Sequence, residues 1–372
     1  MATRDRLALT DDERALQATL REFLTEQLPS AALRAAIESE TGFSAELHQR
    51  LVQELGLGGL TVPEDYGGLG MGAAEAAVVH RELGRALYPG PFLPGCLAAA
   101  GLLAAGDDPA CRRWLPPLAA GTATGTIAFA GQDGTWNGTD AIRADRTPGG
   151  WQLTGTSWFV PVGHVAQFCV VRAAAGDGPA VFVAELGSSV LVTPMPVLDL
   201  TRPLSVLTFS QTPVTLIVAG DAAGRVAERM HADLELATAA EAAGGIDWCL
   251  GTAVHHARTR EQFGQPIGSF QAIAHQCADM LAGLQDASAS ARYAAAATAE
   301  GAGDARLATR VAVLRAGEAY RHAAETTIHI LGGTGFTWEH DAHLYYRRAW
   351  SAQQLAGGAQ AHRAAIAELA GL

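Results

Sequence analysis

Hydrophobic positions along the 372-residue chain change their period twice. Near the start, Leu16, Leu20, Phe23 and Leu24 recur at helical spacing behind Thr10 and the acids Asp11, Asp12 and Glu13. A hydroxyl followed by acids suits a helix N-terminus, where unpaired N–H groups and the positive dipole end need acceptors and negative charge. The same spacing continues through Leu47, Leu51, Val52 and Leu55, and through Ala76, Val79, Leu83 and Leu87, which stop ahead of Pro89 and Pro91. Between them PEDYGGLG (63–70) reads as a turn. From about residue 123 the runs become β-branched and aromatic, as in TIAFA, WQLTGTSWFVPV, PAVFVAEL and LSVLTFSQTPVTLIV, with Gly, Pro and Asp turns between them. Beyond about residue 226 Ala-rich helical stretches return, broken by GQPIGS (264–269), GAGD (301–304) and LGGTGFT (331–337). The expected fold is α with an inserted β domain: helices over 1–122, a small antiparallel β-barrel or sandwich over 123–225, and a helical bundle over 226–372.

Composition narrows the chemistry. Charged residues make up only 17%, which predicts that other subunits cover part of the surface. The net charge is −12, and no basic patch interrupts it, so nucleic acid is not an expected partner. All 26 basic residues are arginine, which excludes a Schiff-base lysine or a P-loop lysine. The first residues lack an apolar core, and the mild apolar run from Cys96 to Gly106 is too short to span a bilayer, so a cytoplasmic protein away from membranes is expected. Cys96, Cys111, Cys169, Cys249 and Cys277 are scattered without CxxC or zinc-ligand spacing, which predicts reduced thiols and no metal. Neither a Walker A sequence nor a GxGxxG between strand and helix is present.

Three segments carry a resemblance: LGLGGLTVPEDYGGLG (55–70) followed by ELGRAL (82–87), RTREQFGQPIGSFQAIAHQCADM (258–280), and GGTGFTWEHDAHLYYRR (332–348). Together they closely resemble the acyl-CoA dehydrogenases, flavin enzymes that desaturate acyl-CoA thioesters. The resemblance implies a helical N-terminal domain, a β domain and a C-terminal four-helix bundle. It also implies FAD, an acyl-CoA or related acyl thioester of fatty-acid or steroid side-chain metabolism, and an electron-transfer flavoprotein or similar acceptor. The assembly it implies is a homo- or hetero-oligomer, often a dimer of dimers. By the same resemblance Arg260 neutralises the flavin pyrophosphate, Phe263 packs near the adenine, Gln271 belongs to the motif, and Gly332 and Gly333 let backbone approach the dinucleotide. His329 stands where the family usually has a glutamine.

The reaction needs a flavin to accept the β-hydride and a carboxylate to take the α-proton. The usual family position of that carboxylate falls on Ala356 in QQLAGG. A second family position lies on the first bundle helix, where Glu241 sits among Ala237, Ala240, Ala242, Gly244 and Gly245. A small-residue face there allows close approach of a flat ring or thioester, so Glu241 is the candidate base and Gly244 and Gly245 are candidate substrate contacts. Two alternatives stand beside it: Glu235, next to Asp233 near the helix start in an ordinary solvated setting, and an ion pair of Glu241 with a bundle arginine. In the middle domain the family's TEPxAGSD loop is replaced by AFAGQDGTWNGTD (128–140). Phe159 takes the place of the flavin-stacking tryptophan, and Pro161 that of a hydroxyl residue. Arg202 in DLTRP (199–203) reads as a substrate contact or as a structural salt bridge. Two further readings follow: a catalytically degenerate subunit of a hetero-oligomer, or a tailoring enzyme of secondary metabolism on this fold.

Overall fold

The computed structural model describes residues 7–136, 142–176 and 178–372. Helix α1 (Asp11–Gln27) opens with a reciprocal cap. Thr10 Oγ1 accepts the Glu13 N–H at 3.2 Å, and the Glu13 carboxylate accepts the Thr10 N–H at 2.7 Å. It is followed by α2 (Ser30–Glu38), α3 (Ala45–Leu55), α4 (Ala73–Arg85), α5 (Phe92–Ala105) and α6 (Asp108–Ala119). The strands are β1 (Gly125–Ala128), β2 (Ile142–Thr147), β3 (Gly150–Pro161), β4 (Phe168–Ala175), β5 (Gly178–Glu185), β6 (Val190–Pro194) and β7 (Leu204–Ala219).

Among the described residues these strands form one sheet that closes on itself. β4 pairs with β2, β2 with β3, β3 with β7, β7 with β5, and β5 returns to β4, with β1 and β6 added at the sides. Most pairs are antiparallel, but β1 and β2 each run parallel to β4, a pairing that local periodicity does not reveal. Phe182, Phe209, Leu153 and Leu207 fill the interior.

The last part is helical: α7 (Asp221–Thr259), α8 (Gln271–Ala299), α9 (Ala305–Leu331), α10 (Ala342–Leu355) and α11 (Ala359–Leu369). Alanine lets these helices pack closely, and Ala287, Ala294, Ala312, Ala316 and Ala324 are fully buried. One core runs from α1 and α4 into the bundle, and a second joins α5, α6 and the sheet to the start of α7. Helix α7 therefore belongs to every layer. Where α4 crosses it there is no room for side chains: a Cβ on Gly244 would lie 1.9 Å from the Arg81 carbonyl oxygen. On the next helix face, a Cβ on Gly245 would lie 2.2 Å from the Tyr320 ring of α9.

Candidate active site

A cavity of about 860 Å³ opens where α5, the end of β3, α7 and α10 meet. Phe92, Leu93 and Leu97 make one apolar wall, and Phe159, Pro161 and Val162 make another. Glu241 reaches it from α7, and Arg202 reaches it from the turn before β7.

Glu241 is not a free carboxylate there. Arg202 Nη2 donates to its Oε2, Arg348 Nη1 of α10 donates to the same oxygen at 3.4 Å, and His80 Nδ1 lies 3.8 Å from Oε1. Arg348 also donates from Nε to Asp199 Oδ2 at 2.7 Å, and from Nη2 to the Thr201 carbonyl at 2.9 Å. Asp199 in turn accepts the Thr201 N–H at 3.0 Å, folding DLTRP into a turn that aims Arg202 at α7. Burial alone would raise the Glu241 carboxyl, but Arg202, His80 and Arg348 more than reverse it and hold the group at about 2. Of the two readings of Arg202 the structure shows the buried salt bridge, made by a side chain that also lines the cavity.

Glu235 is fully buried, which corrects the expected solvated setting. It pairs with Arg306 and, at 2.7 Å, with Arg310, both from α9, while His231 and His362 approach within 3.6 and 3.8 Å. Helices α9 and α11 cover this part of α7, and no local signal in the sequence shows that. Ala356 is also fully buried and offers no acid.

The sheet side of the cavity has a backbone of unusual shape. The β3–β7 register shifts between Ser157 and Val160, and there Phe159 and Val162 adopt φ +55° and +46°. Hydrogen bonds from Trp158 N–H to the Ala130 carbonyl (3.1 Å) and from Val162 N–H to the Pro203 carbonyl (3.0 Å) hold the segment in place. Trp136, which local patterning did not single out, stacks between Phe129 and His231 with centroids 5.3 and 5.1 Å away. Residues 137–140 of the replaced loop lie outside the described residues. This wall offers a flat ring aromatic stacking on Phe159. Pro161 offers it no donor, and its carbonyl already accepts the Thr126 hydroxyl.

Gly244 and Gly245 do not line the cavity. They are the crossing points of α7 with α4 and α9, so the small-residue face admits helices rather than a ligand.

The remaining motif residues cluster at the far end of the bundle. Gly245 meets Tyr320, and the Cys249 carbonyl accepts the Thr327 hydroxyl at 3.1 Å, so α7 and α9 run parallel toward the same end of the bundle. Arg260 caps α7 and makes no ion pair among the described residues, Glu261 included. Phe263 and Gly264 form a two-residue turn, both at positive φ, between the short strands Glu261–Gln262 and Gln265–Pro266. That turn leaves the Phe263 side chain 91% exposed. Gln271, His329, Gly332 and Gly333 are exposed at this end as well, and Phe336 is 86% exposed. Their exposure leaves the Arg260 guanidinium and the glycine backbone open to a ligand or a neighbouring chain. Nineteen residues of one helix separate Glu241 from Arg260, about 28 Å at the α-helical rise.

Comparison with known proteins agrees with this architecture. The family model described as acyl-CoA dehydrogenase, N-terminal domain, matches residues 10–122, and that described as acyl-CoA dehydrogenase, C-terminal domain, matches residues 225–370. The chain is 34% identical to acyl-CoA dehydrogenase FadE34 of Mycobacterium tuberculosis over 94% of its own length, though it spans only 47% of that relative. It is 31% identical to acyl-CoA dehydrogenase IpdE2 of Mycolicibacterium smegmatis, covering 94% of this chain and 96% of the relative. Among solved structures, the ChsE4–ChsE5 complex from Mycobacterium tuberculosis superposes with TM-score 0.89 at 28% identity, covering 98% of each chain. Members of the family are FAD-binding flavoproteins. Helix order, the inserted barrel and both sequence-matched ends lead to one conclusion: the chain belongs to the acyl-CoA dehydrogenase family.

Proposed function

We propose that the chain serves FAD-dependent α,β-desaturation of a fatty or steroid side-chain acyl thioester as the subunit that does not supply the base, in a hetero-oligomer with a second chain of the same family. The ion pairing of Glu241 carries this reading. A base for an α-proton must bind that proton strongly, whereas Arg202, His80 and Arg348 favour the bare carboxylate and weaken its basicity. The position usually acidic in the family holds Ala356.

The chain's contribution then lies at the exposed end of the bundle. Arg260 neutralises a diphosphate, Phe263 covers an adenine, Gln271 and His329 donate hydrogen bonds, and Gly332 and Gly333 keep the backbone close. The distance of about 28 Å along α7 supports service to a neighbouring chain, because a ribityl arm cannot join a ring in this cavity to Arg260. FAD, when bound, supplies the acceptor for the β-hydride, and an electron-transfer flavoprotein or similar acceptor takes the electrons on. The likeness to a chain of the ChsE4–ChsE5 complex supports a hetero-oligomer over a homo-oligomer.

The test compares the chain purified alone with the chain co-expressed with a neighbouring acyl-CoA dehydrogenase gene. Flavin should co-purify stoichiometrically only with the pair, and R260A in the pair should lose it. In the folded pair, E241Q should leave anaerobic flavin bleaching by an acyl-CoA panel within about twofold. A loss on the order of 10²–10⁴, the scale of a missing general base, would make Glu241 the base and overturn the reading.

A further inference from the structure

A second cavity, of about 410 Å³, lies where α1, α4 and α8 meet over α7, and none of its lining residues also lines the first. Leu9, Val78 and Ala289 are part of its apolar wall. Arg81 and Arg292 also line it, and no acid is among the described residues that do. Arg292 has its counter-charge, because the Glu13 carboxylate accepts from its Nη1 at 2.5 Å and from its Nη2 at 2.7 Å.

Arg81 has no such partner. Its Nη1 donates to the Ser288 hydroxyl at 2.8 Å, its one hydrogen bond among the described residues, and its Nε is buried without any. The Glu82 carboxylate comes no nearer to it than 3.9 Å. The Glu82 oxygens already accept from Arg21 Nε and Nη2, both at 2.9 Å, and from Gln17 Nε2 at 2.8 Å. Asp247 is taken by Arg21 at 2.9 Å and by Arg85 at 3.5 Å. Three guanidinium groups, those of Arg21, Arg81 and Arg85, thus share two carboxylates. Arg81 is the least exposed of the three, at 24% against 39% and 29%, so the excess charge is worst hydrated there. Burial pushes its guanidinium below the usual arginine value, and Asp247 and Glu82 offset that only in part. A charge so weakly paired and so poorly hydrated is costly until a counter-ion meets it.

We infer that this second cavity is a binding site for a small organic carboxylate, with the carboxylate on Arg81 and a short hydrocarbon part against Val78 and Ala289. The planar donors of a guanidinium match a carboxylate. The Ser288 hydroxyl, already accepting from Arg81, keeps its own proton free to donate to the same anion. One excess charge beside an apolar wall suits a monoanion with a hydrocarbon body over a phosphate dianion. The site stands apart from Glu241 and from the exposed end of the bundle at Arg260, and its test needs no flavin.

Calorimetric titration of the full chain at pH 7.5 with hexanoate, hexanol and inorganic phosphate provides that test. Hexanoate should bind about tenfold more tightly than hexanol, the scale of one hydrogen bond to a charged group, and phosphate should not displace it. R81Q should weaken hexanoate by about the same factor and leave hexanol unchanged. A289W puts a large ring on an exposed residue of the cavity wall without altering any charge. It should weaken hexanoate at least as much, and it carries the test if R81Q does not fold. Hexanoate binding unchanged in either folded variant places the ligand elsewhere and overturns the proposal. So do equal affinities for hexanoate and hexanol in the wild-type chain, and so does displacement by phosphate, which would identify a site for inorganic anions.

Discussion

Gly84 and Glu241 meet backbone to backbone: a methyl group on Gly84 would stand 2.3 Å from the Glu241 carbonyl oxygen and 2.5 Å from its Cα. The carboxylate on the cavity wall is thus placed by a glycine on another helix. With Gly244 against Arg81, the contact is reciprocal and fixes the α4–α7 crossing at its closest approach.

Gly84→Ala should therefore destabilise the fold although alanine favours helix. Overpacking of this kind costs about 1–3 kcal/mol, more than the roughly 1 kcal/mol that alanine gains over glycine in a helix. Urea unfolding measures the balance, and equal or higher stability would show that α4 can shift without cost.

Removing one member of the buried charge cluster should cost more than removing two. Glu241→Gln leaves Arg202 and Arg348 without the negative charge they share, a loss of about 3–5 kcal/mol for a broken buried pair. Glu241→Met combined with Arg202→Met removes that pair and leaves Arg348 on Asp199. Chemical denaturation should show the double variant recovering more than half of the single variant's loss.

The turn at Phe263 offers a separation of folding from binding. Phenylalanine at φ +52° carries a cost of about 1–2 kcal/mol that asparagine largely avoids, and asparagine followed by glycine is the favoured pair for this turn. Phe263→Asn should hold or raise the melting temperature while reducing flavin content in the assembled oligomer. Unchanged flavin content would show that the exposed ring does not cover the cofactor.

Stability should fall as the solution becomes mildly acidic. Burial holds His48 at about 4 and, with the arginines of α9, His231 at about 3 and His362 at about 4. Unfolded histidines take up protons below about 6.5, so acid favours the unfolded chain while the folded histidines stay neutral. The loss begins near pH 6.5 and continues down to the folded values, amounting to about 2 kcal/mol per histidine at pH 5. Urea midpoints at pH 7.5 and 5 measure it, and His362→Gln should remove that residue's share.

Much of this molecule is legible in its sequence, and for identifiable reasons. The capping pattern at Thr10, the leucine spacing of α1 and α3, and the change to β-branched runs near residue 123 are local signals, and local hydrogen bonding decides them. The sequence offered Glu241 as the candidate base through its position on α7, and the structure puts it on the cavity wall. Its partners were not legible, because Arg202 and Arg348 lie 39 and 107 residues away and only the tertiary fold brings them together. The solvated setting expected for Glu235 failed for the same reason, since α9 and α11 bury it. Gly244 and Gly245 misled because a small side chain means close approach, and the sequence does not say whether a ligand or a helix approaches.

Helix α7 runs unbroken for 39 residues, about 58 Å, from the sheet junction past the cavity to the turn that carries Arg260. Such a helix acts as a ruler. A ligand in the cavity and a cofactor gripped at the turn are held at a set separation, and neither can be drawn toward the other without bending the beam that both share. Communication between the two places would have to pass through axial shift or rotation of α7 itself, and the tight glycine crossing with α4 resists both.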